Sequence, residues 1–239
     1  MSAETQTTRR IRVFRYKRGD DEHRYDEFDV PVSERSTALD ALRWIQLRQD
    51  PTLALRHSCF HASCGTCGVR VNGREGLGCV TALSDVSGDT VTIEPLANLP
   101  VLNDVVSDVT PFMERFPEPH PYIRKSEFIS EADTPDDVDA YGRFEDCIEC
   151  GICLSACPVA ATDDTYFGPA ALAYAQRMLE EARGADREAL LDWADSEHGA
   201  WRCHASFECT EACPSDVRPA QRIMLLRKEL GNRKKEVSS

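Results

Sequence analysis

The chain has 239 residues, 41% hydrophobic but only 8% aromatic, which suits one large domain or two small ones with modest cores. A formal charge of −13 argues against a nucleic-acid partner. No apolar run approaches the roughly 20 residues that span a bilayer. Eleven cysteines are too many for ordinary packing, and an odd count leaves no closed disulfide framework. Met1 to Thr8 is polar and Arg9-Arg10 leads into Ile11-Arg12-Val13-Phe14-Arg15 rather than an apolar stretch, so no leader is expected. The thiols are therefore expected in a reducing compartment, where such spacings mean metal.

Ile11 to Tyr16 alternates apolar and polar residues, as does Tyr25-Asp-Glu-Phe-Asp-Val30. Both are predicted as half-buried strands, with Gly19-Asp20-Asp21 as turn chemistry between them. Ser33 or Ser36 is placed to cap the next segment, where Leu39, Leu42, Ile45 and Leu47 form a helical stripe ending before Pro51. Val69-Arg70-Val71 reads as a strand entering a hairpin at Asn72-Gly73, and Val91-Thr-Ile-Glu94 as a further strand. A small mixed sheet with one helix is consistent with a β-grasp, plant-type ferredoxin module, and residues 1–108 are assigned to it.

From Pro117 to Asp139 the text turns to prolines and acids, and 109–140 is assigned as a linker. Strand signals vanish beyond it. Pro169 to Arg183 is an alanine-rich helix with proline at its start and Gly184 after its end; Pro219 to Leu230 repeats that layout with Gly231. Residues 141–239 are therefore expected to form an all-α, bacterial-type ferredoxin module, giving an α+β chain overall.

The cysteines fall into two groups. Cys59-x4-Cys64-x2-Cys67, with Cys79 following, is the plant-type 2Fe–2S pattern. Four thiolates must converge on one small anionic cluster, so the chain wraps closely; Gly65 and Gly68 permit that, and backbone amides can donate to the sulfurs. His57 and His61 invite comparison with Rieske centres, but there two histidines replace two cysteines, and here all four cysteines are present. A zinc site is the alternative metal reading, against which the tight three-cysteine loop counts.

Cys147-x2-Cys150-x2-Cys153-x3-Cys157-Pro158 is the bacterial two-cluster run, whose fourth cysteine ligates the other cluster. The complementary run is Cys203-x5-Cys209-x3-Cys213-Pro214, with Ser206 where a second cysteine would stand. The exchange assigns Cys147, Cys150, Cys153 and Cys213 to a 4Fe–4S cluster. It assigns Cys157, Cys203 and Cys209 to a three-cysteine site that suits 3Fe–4S, and no cysteine is left over. Thiolate is a softer ligand than the Ser206 hydroxyl, which is the alternative donor for a fourth iron.

In this arrangement the chain resembles the iron–sulfur subunit of the succinate dehydrogenase and fumarate reductase family (complex II). The matching text includes Arg56-His-Ser-Cys59, Asn72-Gly73, Glu94-Pro-Leu96, Leu99-Pro-Val101, Cys157-Pro158, Phe167-Gly-Pro-Ala170 and Trp201-Arg-Cys-His204. The resemblance implies a wire without bond-making chemistry of its own. Electrons enter at 2Fe–2S from an FAD-containing flavoprotein subunit, pass 4Fe–4S and leave from 3Fe–4S to quinone. It further implies hydrophobic membrane-anchor subunits and a peripheral position on the cytoplasmic face of the membrane. Family members of the ubiquinone type usually carry tryptophan four or five residues after the cysteine that is here Cys157; this chain has Ala161 and Thr162. What carries over toward quinone is Pro158, His204 and Arg227, the last standing where menaquinone-type fumarate reductases have a lysine. The rival functions are the iron–sulfur subunit of another flavoprotein dehydrogenase, such as a thiol-linked fumarate reductase, and a free ferredoxin-like carrier.

Overall fold

A computed structural model of the chain describes residues 7–117, 146–180 and 187–237. It divides into one unit of Met1–Val109 with Cys150–Ser155, and a second of Thr110–Glu149 with Ala156–Ser239.

In the first unit, β1 (Thr7–Arg15) and β2 (Arg24–Val32) pair antiparallel, with Ile11 opposite Phe28. Helix α1 (Ala38–Arg48) packs on β2. Next come β3 (Gly68–Val71), β4 (Arg74–Leu77) and β5 (Thr90–Glu94), and the five strands take the order β2-β1-β5-β3-β4. Only the β1–β5 pairing is parallel. Alternation puts Ile11, Val13, Val30, Val69, Val71, Val91 and Ile93 on one face, where they meet Ala38, Leu42 and Ile45 of α1. Each such large side chain contributes roughly 1.5–3 kcal/mol by leaving water. Asn72 and Gly73, at φ 48° and 80°, turn the β3–β4 hairpin in the left-handed geometry that those residues tolerate. A two-stranded ribbon, β6 (Val101–Asn103) with β7 (Val106–Ser107), follows.

Two details of α1 differ from expectation. Its cap is Thr37, in a reciprocal capping box with Asp40, and not Ser33 or Ser36, whose hydroxyls serve the turn before it. Leu47 is 68% exposed, because the buried stripe is Ala38, Ala41, Leu42 and Ile45, and position 47 turns away from it.

A buried ionic knot fixes the stretch that leads to the first cysteines. Arg15, 4% exposed, bonds Asp104 at 3.1 Å, Asp26 at 3.0 Å, Thr52 at 3.0 Å and also Asp50. Asp104 accepts in addition from the N–H groups of Tyr16 (3.0 Å) and Ala54 (2.8 Å).

In the second unit, α2 (Pro169–Glu180) packs along α4 (Pro219–Val237), and α3 (Arg187–Asp195) lies against both. Pro169 to Met178 are all buried, the alanines allowing close approach. Arg222 of α4 is buried and donates to Gln176 at 3.1 Å and Glu180 at 3.3 Å on α2. The final helix does not stop at Gly231. Arg233 reaches Asp192 (2.7 Å) and Glu188 (2.9 Å) while Lys234 reaches Asp195 (2.8 Å), so ion pairs to α3 carry it onward. Of the expected linker, Thr110–Met113 is a single helical turn, and Phe112 and Phe116 are buried edge to face. Residues 118–140 of that linker, and Arg183 and Gly184 at the expected end of α2, lie outside the described residues. No described helix is long and apolar enough to cross a membrane.

Candidate metal centres

The first cysteine loop is wound through left-handed backbone, which Phe60 and Ala62 adopt at a cost, with φ of 62° and 61°, and Gly65 adopts freely, with φ of 70°. That path turns three amides toward one sulfur. The N–H groups of His61 (3.4 Å), Ser63 (3.3 Å) and Cys64 (3.4 Å) donate to Cys59 Sγ. These donors, the His61 amide foremost, lower the Cys59 thiol to about 7. Cys64 Sγ lies 3.2 Å from Thr66 Oγ1.

Cys67 leads into β3 and Cys79 follows β4, so the hairpin brings them together. The Gly78 N–H donates to the Cys67 carbonyl at 2.9 Å. Both thiols are buried, and burial, with the neighbouring Cys79, pushes Cys67 up to about 11. His57 is exposed and packs its ring against Phe60, whereas the His61 ring meets the Cys59 carbonyl.

Cys150 and Cys153 belong to the first unit. Cys153 is buried in a one-turn helix, Ile152–Ser155, that is fastened by polar contacts. The Ala97 N–H donates to Ser155 Oγ (2.8 Å), Asn98 Nδ2 donates to the carbonyls of Leu154 and Ser155 (2.9 Å each), and Ser155 Oγ donates to Glu75 (3.0 Å). A Cβ on Gly68 would meet Leu96 Cδ1 at 3.0 Å, a tight contact, and the Cys150 carbonyl at an ordinary 3.5 Å.

Cys147 and Cys213 belong to the second unit and are neighbours there. Burial pushes Cys147 up to about 11, and the Glu149 amide, held at φ 53°, partly offsets that.

Three thiols, one from the first bacterial-type run and two from the second, meet in one cavity of the second unit. Cys157, Cys203 and Cys209 line it together with Tyr166, His204, Ser206 and the apolar Ile223. Burial pushes Cys157 up and Cys209 up to about 12. The Ala205 N–H donates to Cys203 Sγ at 3.3 Å, again from a left-handed stretch, with Ala205 at φ 55° and Phe207 at 66°.

Arg227 of α4 donates through Nε to the Ala200 carbonyl (2.9 Å). Its Nη2 donates to the carbonyls of Trp201 (3.1 Å) and Cys203. It therefore clamps the turn that presents Cys203. The guanidinium also sits 5.5 Å from the centroid of Trp201, an exposed ring. Pro158 is exposed immediately after Cys157, and His204 is exposed at the cavity.

Spacing gave no signal for Tyr166 or Arg115. Arg115 donates to the carbonyls of Tyr166 (2.8 Å) and Asp164 (3.2 Å), holding the loop after Cys157. Tyr166 is 1% exposed, and its hydroxyl has no hydrogen-bond partner of good geometry. Burial raises its phenol pKa, and the Cys203, Cys157 and Cys209 thiols raise it further, so the group is a neutral O–H.

All eleven cysteines are free of disulfides. A thiol raised by burial keeps its proton at neutral pH unless a metal cation displaces it. Amide donors around sulfur, in turn, suit an anionic metal-bound thiolate. The donor set thus fits iron–sulfur clusters. Among the described residues, no three His, Cys, Asp or Glu groups are placed to chelate one metal ion.

Known proteins agree with this chemistry. A 2Fe-2S iron-sulfur cluster binding domain family matches residues 10–114, and a 4Fe-4S dicluster domain family matches residues 143–217. The fumarate reductase iron-sulfur subunit of Mycobacterium tuberculosis is 38% identical over 207 residues, covering 83% of each chain. The succinate dehydrogenase iron-sulfur subunit of Paracoccus denitrificans is 33% identical over 226 residues, 90% of this chain and 85% of that one. Among solved structures, a chain of the Mycobacterium smegmatis Sdh1 complex in the apo form matches with a TM-score of 0.84 at 26% identity, over 97% of this chain and 98% of that chain. With its cysteine loops, its two ferredoxin-type domains and relatives of this likeness along most of its length, the chain belongs to the family of iron–sulfur subunits of succinate dehydrogenase and fumarate reductase.

Proposed function

We propose that this chain passes single electrons between an FAD-containing flavoprotein subunit and membrane quinone, as the iron–sulfur subunit of a succinate dehydrogenase or fumarate reductase. The observation that carries the reading is the convergence of Cys157, Cys203 and Cys209 on one cavity, as expected if the fourth cysteine of each bacterial-type run serves the other run's cluster. In this reading Cys59, Cys64, Cys67 and Cys79 hold 2Fe–2S in a plant-type, β-grasp module. Cys147, Cys150, Cys153 and Cys213 hold 4Fe–4S, and the three cavity cysteines hold 3Fe–4S, in an all-α module. Bound clusters supply reversible one-electron steps at potentials set by cluster type, hydrogen bonding and burial.

The chain's own residues hold the sulfurs, donate amides to them and keep water from the buried thiols. Hydrophobic anchor subunits hold the chain peripherally at the cytoplasmic face of the membrane. Pro158, His204 and Arg227 are the quinone-proximal set. Support for them is local: Pro158 and His204 are exposed next to two of the cavity cysteines, and Arg227 grips the Cys203 carbonyl. Nε and Nη2 of Arg227 are engaged on carbonyls, so Nη1 is the group left to meet a quinone oxygen.

Low-temperature electron paramagnetic resonance on the membrane fraction, titrated by potential, tests the reading. Three centres are expected, one giving a 3Fe–4S signal when oxidised. A protein recovered wholly without membrane and without flavin would contradict it and favour a free carrier.

A further inference from the structure

The wall of the third cavity carries a polar group that makes no hydrogen bond of good geometry within the chain, although the Cys203 thiol lies close enough to interact with it. Tyr166 lines the cavity with Cys157, Cys203 and Cys209, is 1% exposed, and its hydroxyl lacks a hydrogen-bond partner. Native chains rarely bury a hydroxyl this way, because it forfeits its bonds to water for nothing. A phenylalanine would fill the same space without that loss.

The side chain is not free to leave. Arg115 holds the Tyr166 carbonyl at 2.8 Å. The next residue, Phe167, stacks on Trp193 with centroids 4.1 Å apart, and its N–H donates to the His198 carbonyl at 3.0 Å. The peptide group that follows the ring is thus held through both its carbonyl and its N–H, and the hydroxyl faces three thiols.

We propose that Tyr166 donates its O–H to a sulfur of the centre held by Cys157, Cys203 and Cys209, and thereby raises the reduction potential of that centre. The proposal rests on the reading of those cysteines as 3Fe–4S ligands. Reduction adds one electron and spreads negative charge over the sulfurs. A neutral donor held against them favours the reduced state, and it does so from a side chain that is itself buried from solvent. The Ala205 amide already serves Cys203 Sγ from the backbone side, and Tyr166 adds a side-chain donor within the same cavity.

The test is Tyr166→Phe in the purified complex with all centres loaded, followed by a redox titration read by electron paramagnetic resonance. Loss of one neutral hydrogen bond predicts an equilibrium constant for reduction of this centre about fivefold smaller. At 59 mV per tenfold for one electron, that is a fall of ~40 mV. The 2Fe–2S and 4Fe–4S potentials should not move, which separates the effect from general damage. A change below about twofold at the third centre overturns the proposal. If the wild-type complex shows no 3Fe–4S signal at all, the ligand reading fails and takes the proposal with it. Should the phenylalanine variant fail to retain the centre, fluorotyrosine incorporated into the unmutated complex tests the same bond with the sign reversed. Its more acidic phenol should raise the potential of the third centre alone, and no rise overturns the proposal.

Discussion

The first cysteine loop and the third cavity solve the same problem at different scales. Around Cys59 the donors are sequence neighbours: three amides within five residues, turned inward by left-handed Phe60 and Ala62. Around the third cavity Cys157 meets Cys203 and Cys209 from a run dozens of residues further along the chain, joined by the packing of α2 and α4. One motif is shared. The amide two residues on serves the sulfur at Cys59, Cys147 and Cys203, with a left-handed residue in the same short stretch each time. The consequences for the thiols diverge. Amide donors, the His61 N–H foremost, lower Cys59 to about 7, whereas burial pushes Cys209 up to about 12. The first loop can therefore prepare Cys59 before metal arrives, whereas its own Cys67, pushed up to about 11, and the distal site depend on metal to discharge their protons.

The largest expected effect is at the distal site. Cys209→Ala should abolish the third signal and lower quinone-linked activity by about 100-fold or more, because a ligand is lost in a buried position. The first-centre signal should survive. Its disappearance in step with the third would erase the contrast between a local and a packed site.

Arg15→Leu should act on the other side. Removing the cation leaves the buried Asp104 carboxylate without its counter-charge and should cost about 3–5 kcal/mol in urea unfolding. Iron at the first centre should then become accessible to chelators before iron at the third. Equal loss at both would mean that the ionic knot supports the whole chain rather than the stretch leading to Cys59.

Arg227→Lys sharpens the account of the Cys203 turn. A lysine keeps the charge but not the fork that spans three carbonyls. Quinone-linked electron transfer should fall about tenfold, and the line shape of the third signal should change. Dye-linked activity through the flavoprotein should stay within about twofold. An unchanged line shape would show that the clamp does not govern Cys203.

These contrasts also explain what was legible beforehand. Period-2 alternation disclosed β1, β2, β3 and β5, and the cysteine spacing grouped the ligands, because both are local statements in the text. Leu47 misled because an apolar residue off the stripe looks like one on it until the helix phase is fixed. Gly231 misled because a glycine stops a helix only when the chain takes a left-handed turn there. Here Arg233 and Lys234 hold the helix to α3 instead. Tyr166, Arg115 and the knot at Arg15 were invisible, since each acquires its meaning from partners tens of residues away.

The smallest effect is a slope in pH. Bonds from Thr52 and Arg15 lower the Asp50 carboxyl from 3.8 to about 2 in the folded chain. A depressed carboxylate stabilises the fold above its unfolded value, and that contribution fades as pH falls from about 4 to about 2. Asp50→Asn should flatten this part of the urea-midpoint profile, and an unchanged profile would remove Asp50 from the acid sensitivity of the first unit.

The most direct test of the central claim, that eleven cysteines hold two four-ligand centres and one three-ligand centre, is iron analysis of the anaerobically purified complex together with its oxidised spectrum. The account predicts two, four and three cluster irons, nine per chain, with a 3Fe–4S signal before any reductant is added. Ten cluster irons without that signal would contradict it, and would mean that Ser206 or a ligand from outside the chain completes the third centre.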